Sequence, residues 1–354
     1  MEGFTMQHSR RPGSRCTFVA FLVLCLSQPG RTDSAKQLTA GSSAVAAASA
    51  DRPSSPRPVA VRGFEGFAVV NGVRLRYMDY QGDRLSSATM VLVPGVAEHA
   101  NWFDCLIEAG LASRCRVISV DLRGQAKSEA PNSGYTIERF SSDIVTLLRD
   151  ELHVRGKVIV GGHSLGGAIS LNIAVNHPEM VSKLIMLDPP AFPKPGSDAP
   201  LIPTIEAFNQ RVANARAFLD NLANQPFMEG SMTSTVRSIY LQDLRVEKDG
   251  SATWGTKSFA ARKSLEQVFL FPWKSAFQRL TKPALLIHAT KGFEEGTPPL
   301  VGKDQMDEAL NSSPRSPIKY LPIEGNHVSI LLPKHARQVV NEMHQFISTG
   351  NGSK

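Results

Sequence analysis

A serine enclosed by glycines at residues 162–166 (GHSLG) restricts how this chain can fold more than any other feature. A β-branched apolar run at 158–160 precedes it, and a helical pattern at 166–177 follows it and ends before Pro178. A strand that turns directly into a helix crowds the residue at the turn, so its neighbours must be small. The glycines on both sides of Ser164 meet this requirement. They predict a β-α unit whose turn presents the serine hydroxyl at the end of a sheet.

The chain from residue 61 onward alternates strands and helices around this unit. Residues 67–80 contain two apolar-rich runs joined by Asn71 and Gly72, which predicts a hairpin with a type I′ turn. A helix is predicted to begin at Thr136. Further strands are predicted at 90–93, 116–120, 158–160, 183–187, 284–288 and 318–321. Repeated β-α units of this kind form an α/β fold with a mostly parallel, doubly wound sheet.

The alternation is interrupted between residues 189 and 281. This stretch has helical patterns, many aromatic residues and no clear buried strand. An insertion of this size lies over one end of the sheet, so we predict a helical cap at 189–281. The core is then formed by 61–188 and 282–354. The aromatic residues indicate either a medium-sized apolar substrate or simple packing within the cap.

The first sixty residues differ in composition from the rest. Three arginines precede a short apolar run at 16–26, and small and polar residues follow, an order typical of a secretory signal. The run is too short to span a bilayer comfortably. We predict a targeting segment at 1–30 and a disordered linker at 31–60. The product is expected to be secreted or periplasmic, with no stable membrane span after processing; an organellar location is the alternative.

Charge and cysteine content exclude several classes of function. The formal net charge is +7, but seven Lys/Arg and three Asp/Glu lie in the first sixty residues, and no dense basic run follows. We therefore expect no nucleic-acid partner. Two cysteines lie in the apolar run at 16–26, and Cys105 and Cys115 are expected to be buried free thiols. No metal-ligand spacing, phosphate-binding loop or dinucleotide fingerprint is present, so no cofactor or metal is expected.

A serine hydroxyl is a weak nucleophile until a base takes its proton. The chain has nine histidines, and His327 lies between the predicted last strand and the last helix. This position places it at the same end of the sheet as Ser164, so it is the candidate general base. The neighbouring His163 is interpreted as a packing residue. The backbone N–H of Leu165 lies at the start of a helix, where it can stabilise an oxyanion.

From about residue 64 to its last helix the chain resembles the α/β-hydrolase family. The likeness rests on GHSLGG at 162–167, DLRGQAKS at 121–128, VPGVAEHANWF at 93–103 and GNH at 325–327. It implies that the backbone N–H of Val96 is the second oxyanion donor. Pro94 stands where the family usually has histidine, and Ala126 stands where it usually has glycine. Both departures bear on loop shape rather than on the backbone donors.

The acid that completes a catalytic triad has two interpretations. The family most often places an aspartate after the next-to-last strand, but Gly292 stands there in this chain. The acid is then Asp188, which ends the strand after the serine's helix, as in some branches of the family. Alternatively, a longer loop brings Glu294 or Glu295 to the usual place. We favour Asp188.

These residues predict a serine hydrolase that cleaves a carboxylic ester or lactone, with a small apolar molecule as its substrate partner. Ser164 forms an acyl-enzyme, His327 is the base and Asp188 orients it. The serine argues against epoxide hydrolases and haloalkane dehalogenases of this fold, which use an aspartate nucleophile. The alternatives are a carbon–carbon bond hydrolase, a cofactor-free lyase or haloperoxidase, and a small-ligand receptor with slow turnover.

Overall fold

The computed structural model describes residues 63–82, 88–198 and 201–349. The predicted targeting segment at 1–30 and the linker at 31–60 lie outside the described residues. Within the described ranges, no helix has both the length and the apolarity needed to cross a membrane.

The secondary structure alternates along the chain as the sequence indicates. The described residues form the strands β1 (Gly63–Val70), β2 (Val73–Tyr80), β3 (Thr89–Val93), β4 (Arg116–Val120), β5 (Val158–His163), β6 (Val181–Leu187), β7 (Leu244–Val246), β8 (Ala252–Trp254), β9 (Ala284–Ala289) and β10 (Ile318–Ile323). Their α-helices are α1 (Asp104–Glu108), α2 (Ile137–Thr146), α3 (Leu165–Asn176), α4 (Ile202–Ala207), α5 (Ala215–Ala223), α6 (Ser234–Gln242), α7 (Ser258–Leu270), α8 (Trp273–Arg279), α9 (Lys303–Asn311) and α10 (Pro333–Ser348).

Eight strands form one sheet in the order β1-β2-β4-β3-β5-β6-β9-β10. The strand β2 pairs antiparallel with both of its neighbours, and the pairs from β4 to β10 are parallel. At the β1–β2 turn, Asn71 and Gly72 have φ values of 48° and 74°. Both values are positive, as a type I′ turn requires, so the predicted hairpin is confirmed. The mostly parallel α/β sheet is confirmed as well.

Each face of the sheet has its own hydrophobic core. In β3, Met90 and Leu92 belong to one core, Val91 and Val93 belong to the other, and all four side chains are fully buried. Successive side chains of a strand point to opposite faces, so a strand covered on both sides is apolar throughout. Burial on both faces keeps the carboxyl ends of the central strands in fixed positions.

The helix α2 shows how a local signal sets an element boundary. The Thr136 side chain accepts a hydrogen bond from the backbone N–H of Arg139, which satisfies a donor left unpaired at the helix start. The predicted N-cap is therefore confirmed, and such a cap contributes about 1 kcal/mol to stability. The buried face of the helix carries Ile137, Phe140 and Ile144.

The segment between β6 and β9 contains α4 to α8 and a two-stranded hairpin, β7–β8. The expectation that this segment has no buried strand was wrong, since Leu244 and Trp254 are buried in that hairpin. Strands of three residues are too short for alternation to be recognised in a sequence. Within α8, Trp273 and Phe277 stack at 6.2 Å and join the core that contains α3. The boundaries predicted for a cap at 189–281 stay a prediction.

Candidate active site

Ser164 lies at the tight turn between β5 and α3. Its backbone has φ 52° and ψ −123°, a left-handed conformation that costs a non-glycine residue about 1–3 kcal/mol. The turn is closed by glycines: a Cβ atom on Gly162 would lie 2.2 Å from the Gly166 carbonyl, and one on Gly166 would lie 1.9 Å from the Val93 oxygen. The predicted strand-to-helix turn is therefore present, and it directs Ser164 into a cavity.

His327 and Asp188 form a buried hydrogen-bonded pair beside this serine. Asp188 follows β6 and is fully buried, and its Oδ2 lies 2.6 Å from His327 Nδ1. Its Oδ1 accepts a hydrogen bond from the Ala289 N–H at 2.9 Å, which fixes the carboxylate plane. Because a carboxylate can only accept, Nδ1 of His327 must carry the proton. His327 also lines the cavity that Ser164 enters.

The two glutamates considered for this role lie elsewhere in the loop after β9. Glu295 is exposed, and the Glu294 backbone forms a turn with Thr297. Asp188, one of the three acids proposed from the sequence, is in hydrogen-bond contact with His327.

The loop before His327 is held by Asn326. The Asn326 Oδ1 accepts hydrogen bonds from the N–H groups of Val328 and Ser329, at 3.0 and 2.8 Å. Its Nδ2 donates to the Phe227 carbonyl at 2.9 Å, which connects this loop to the segment between β6 and β9. The asparagine of the GNH sequence therefore sets the position of the histidine that follows it.

The two backbone donors proposed for an oxyanion hole flank Ser164. Leu165 is the first residue of α3, so its N–H has no partner within the helix. Val96 lines the cavity. The loop that carries Val96 passes close to the serine, since a Cβ atom on Gly95 would lie 2.9 Å from Ser164 Cβ. Ala97 also has a positive φ of 63°, so the loop is conformationally strained next to the turn.

A buried ion pair that the sequence analysis missed connects this loop to His327. Glu98 Oε2 accepts from the Gly95 N–H at 2.5 Å, and its Oε1 lies 2.7 Å from His163 Nδ1. His163 Nε2 lies 2.8 Å from the His327 carbonyl oxygen. Both neighbours of the His163 ring are acceptors, so both ring nitrogens must carry protons.

His163 is therefore an imidazolium in this arrangement. Burial lowers the pKa of His163. The adjacent Glu98 carboxylate raises this pKa by more than burial lowers it, so the net shift is upward. A signal for this pair was present in the sequence, because the acidic Glu98 lies three residues beyond Gly95 in the loop that carries Val96. Interpreting His163 as a packing residue overlooked that a buried imidazole needs hydrogen-bond partners.

The unusual residue Ala126 is accommodated by the loop after β4. Its φ is 44°, in the left-handed region where glycine is favoured, which accounts for the glycine usual at this place in the family. Its backbone N–H donates to Thr256 Oγ1 at 3.0 Å. The buried Asp121 carboxylate accepts from the N–H groups of Ala100 and Lys127, which connects this loop to the start of the neighbouring one.

The cavity above Ser164 has a volume of about 190 Å³. Its wall is mostly apolar and includes Trp102, Phe208, Phe218, Phe227, Tyr240, Trp254, Leu265, Phe269, Phe293 and Val328. None of the described residues that line it is a lysine or an arginine. Its acidic residues are Glu98, Asp198 and Asp243. Such a wall suits a small apolar molecule without negative charge.

Residues 88–331 match the α/β-hydrolase fold family, and the chain belongs to this family. The α/β-hydrolase fold predicted from the sequence is confirmed, and the protein is a member of a family of hydrolases.

Several known proteins with similar sequences or structures are hydrolases. The chain is 24% identical over 261 residues to 2-(acetamidomethylene)succinate hydrolase of Mesorhizobium japonicum. The aligned region covers 70% of this chain and 85% of that relative. It is 30% identical over 151 residues to 2-hydroxymuconate semialdehyde hydrolase of a Pseudomonas species. That aligned region covers 41% of this chain and 51%, about half, of that relative. The crystal structure of E-2-(acetamidomethylene)succinate hydrolase matches with a TM-score of 0.67 and 19% identity, covering 81% of this chain and 100% of that one.

Proposed function

We propose that this protein hydrolyses a carboxylic ester or lactone through an acyl-enzyme on Ser164. The observation that carries the proposal is the placement of Ser164 and His327 on the wall of one apolar cavity, with Asp188 bonded to the far side of the histidine ring. A nucleophile, a base and a group that orients the base are the parts that acyl transfer requires.

The reaction follows from the roles of these groups. Nε2 of His327 accepts the proton of Ser164 as Oγ attacks the carbonyl carbon, and the N–H groups of Val96 and Leu165 stabilise the resulting oxyanion. Asp188 accepts from Nδ1 and stabilises the imidazolium. The imidazolium then protonates the leaving alkoxide, which leaves the acyl group on Ser164. A water molecule loses a proton to His327 and attacks the acyl-enzyme. The acid is then released as the Ser164–acyl bond breaks, and His327 returns the proton to Ser164 Oγ.

The charge of the cavity favours a neutral substrate. The two relatives are named for a succinate and a muconate derivative, which are carboxylates. Carboxylate substrates are usually held by arginine or lysine, and no described residue on the wall of this cavity is either. The Asp243 carboxyl, when ionised, would instead repel a carboxylate. We therefore favour an uncharged, mainly apolar ester or lactone over the carbon–carbon bond hydrolase alternative.

Labelling with a fluorophosphonate probe tests the proposal directly. We expect the protein to be labelled, Ser164→Ala to be unlabelled, and Ser197→Ala to be labelled like the parent. Ser197 is a matched control because it also lines the cavity but lies outside the turn. A folded protein that resists labelling, or equal labelling in Ser164→Ala, would refute the assignment. The first result would bring forward the ligand-binding receptor alternative.

We also propose that the protein is exported and loses its N-terminal segment. The proposal rests on the basic residues and short apolar run at 16–26. Mass spectrometry of the protein from its native source tests it, since an exported product should begin after residue 26. A product that keeps Met1 in the cytosol would contradict export.

A further inference from the structure

Asp243 presents one unused carboxylate oxygen to the cavity. The residue caps α6, and its Oδ1 accepts from both the N–H and the Oγ1–H of Thr256, each at 2.9 Å. Its Oδ2 has no hydrogen-bond partner among the described residues. The side chain is only 6% exposed, and it lines the cavity. Oδ1 is therefore used in hydrogen bonds within the protein, and Oδ2 is the oxygen available to a ligand.

The wall beside Asp243 is apolar. It includes Trp254, which contacts Phe208 and Phe218 edge to face at 5.0 and 5.6 Å. Apolar side chains offer this oxygen no hydrogen-bond donor. Glu98 differs from Asp243 in this respect, because its two oxygens are paired with Gly95 and His163. A ligand that donates a hydrogen bond would satisfy Asp243 Oδ2.

The fold joins Asp243 to a part of the sheet that does not carry Ser164. Thr256 bonds both Asp243 and Ala126, and Ala126 lies in the loop after β4. Ser164 follows β5, and β3 separates β5 from β4 in the sheet. The carboxyl ends of β4 and β5 are therefore two strand spacings apart, roughly 10 Å.

We propose that Asp243 is a specificity-determining residue that accepts a hydrogen bond from a hydroxyl group at the end of the substrate far from its scissile carbonyl. The substrate class is an uncharged ester or lactone with an apolar middle and a distal hydroxyl. The proposal rests on the proposed function of Ser164 and adds the recognition of the far end of the substrate.

The charge state of Asp243 gives this interaction a pH dependence. Burial raises the pKa of Asp243 to about 7; hydrogen bonds from Thr256 and the Lys257 charge oppose the shift, and the Asp121 charge adds to it. Above that pH the carboxylate is ionised and is the stronger acceptor, since hydrogen bonds to charged groups are about twice as strong as neutral ones. Preference for the hydroxyl should therefore increase as pH rises through about 7.

The test compares two p-nitrophenyl esters, of 8-hydroxyoctanoate and 8-methoxyoctanoate. Both place an oxygen at the same distance from the carbonyl, but only the first can donate. We expect the parent to favour the hydroxy ester in kcat/KM by about tenfold to a hundredfold above pH 7.

In Asp243→Asn, the amide oxygen keeps the Thr256 bonds and an NH2 group replaces Oδ2. The preference should then fall to within about threefold and lose its pH dependence. Asp198→Asn, which changes another acid on the wall, should keep it.

The ratio of the two esters cancels effects common to both, including any general change in catalysis or loss of folding. Equal kcat/KM for the two esters in the parent, or an unchanged ratio in Asp243→Asn, would overturn the role of Asp243 while leaving Ser164 labelling intact. Loss of fluorophosphonate labelling would instead overturn the proposed function. If Ser164 is labelled but neither ester turns over, the inactivation rates of the matching hydroxyalkyl and methoxyalkyl fluorophosphonates give the same ratio.

Discussion

Replacing Asp188 with asparagine tests whether this residue sets the tautomer of His327. The Ala289 N–H donates to Asp188 Oδ1 at 2.9 Å and needs an acceptor in the variant as well. The amide oxygen must therefore take the Oδ1 position, and the NH2 group must take the Oδ2 position. That group then faces His327 Nδ1, which lies 2.6 Å from Oδ2 in the parent. Nδ1 becomes an acceptor, so the imidazole proton moves to Nε2, which can no longer take the Ser164 proton.

The magnitude follows from this wrong tautomer and from the lost carboxylate charge. Asp188 is fully buried, so water cannot replace the carboxylate. In serine hydrolases an aspartate-to-asparagine change of this kind lowers kcat by about 10⁴. That factor corresponds to about 5.5 kcal/mol of activation free energy. Asp188 is not among the residues that line the cavity, so KM should change by less than about threefold.

Initial rates on an uncharged p-nitrophenyl ester measure the effect, with thermal unfolding as the check that the variant is folded. Glu294→Gln and Glu295→Gln are the matched controls, and both should retain near-parental kcat. If Asp188→Asn kept more than about a tenth of the parental kcat, the assignment of Asp188 and the tautomer argument would both be wrong. A large loss in Glu294→Gln or Glu295→Gln would move the triad acid to the loop after β9.

Three further predictions concern contacts that support the site or stabilise the fold. Glu98→Gln should slow fluorophosphonate labelling about tenfold or more, since an amide offers one acceptor for two N–H groups. The pKa of His163 is raised from 6.5, so the stabilisation from its pair with Glu98 is fully present below pH 6.5 and is lost as pH rises through the folded-state pKa. The urea midpoint should therefore fall over that pH range in the parent, and it should fall less in Glu98→Gln. Gly166→Ala should yield no soluble active enzyme, because its Cβ would lie 1.9 Å from the Val93 oxygen; normal expression and labelling would contradict this. Lys183→Met should lower the free energy of unfolding by about 1–2 kcal/mol with kcat unchanged, because the Lys183 ammonium donates to three carbonyls at the end of α10.

The local parts of this molecule could be predicted from its sequence. The hairpin turn at Asn71 and Gly72, the cap at Thr136 and the turn at Ser164 depend on which residues tolerate a given backbone conformation. Such preferences act within a few residues and are visible in the letters themselves. The order of β-α units then brought Ser164 and His327 to one end of the sheet, because parallel strands present their carboxyl ends on the same side.

Which side chains contact these residues could be recognised only in the tertiary structure. Asp188 and Glu294 were both compatible with the sequence, and the hydrogen bond across 139 residues between Asp188 and His327 distinguishes them. The pairing of Glu98 with His163 spans 65 residues. The short strand that carries Trp254 lies below the length at which alternation is detectable.

The sequence by itself determined the fold family, the candidate nucleophile and the candidate base, because each depends on local backbone requirements or on the order of strands and helices. Only the tertiary structure decided which acid contacts His327, which ion pair holds the loop that carries Val96, and which acidic residues line the cavity. These features depend on burial and on distances of about 3 Å between segments far apart in the chain. A small shift between packed elements changes such contacts while leaving every local sequence preference satisfied.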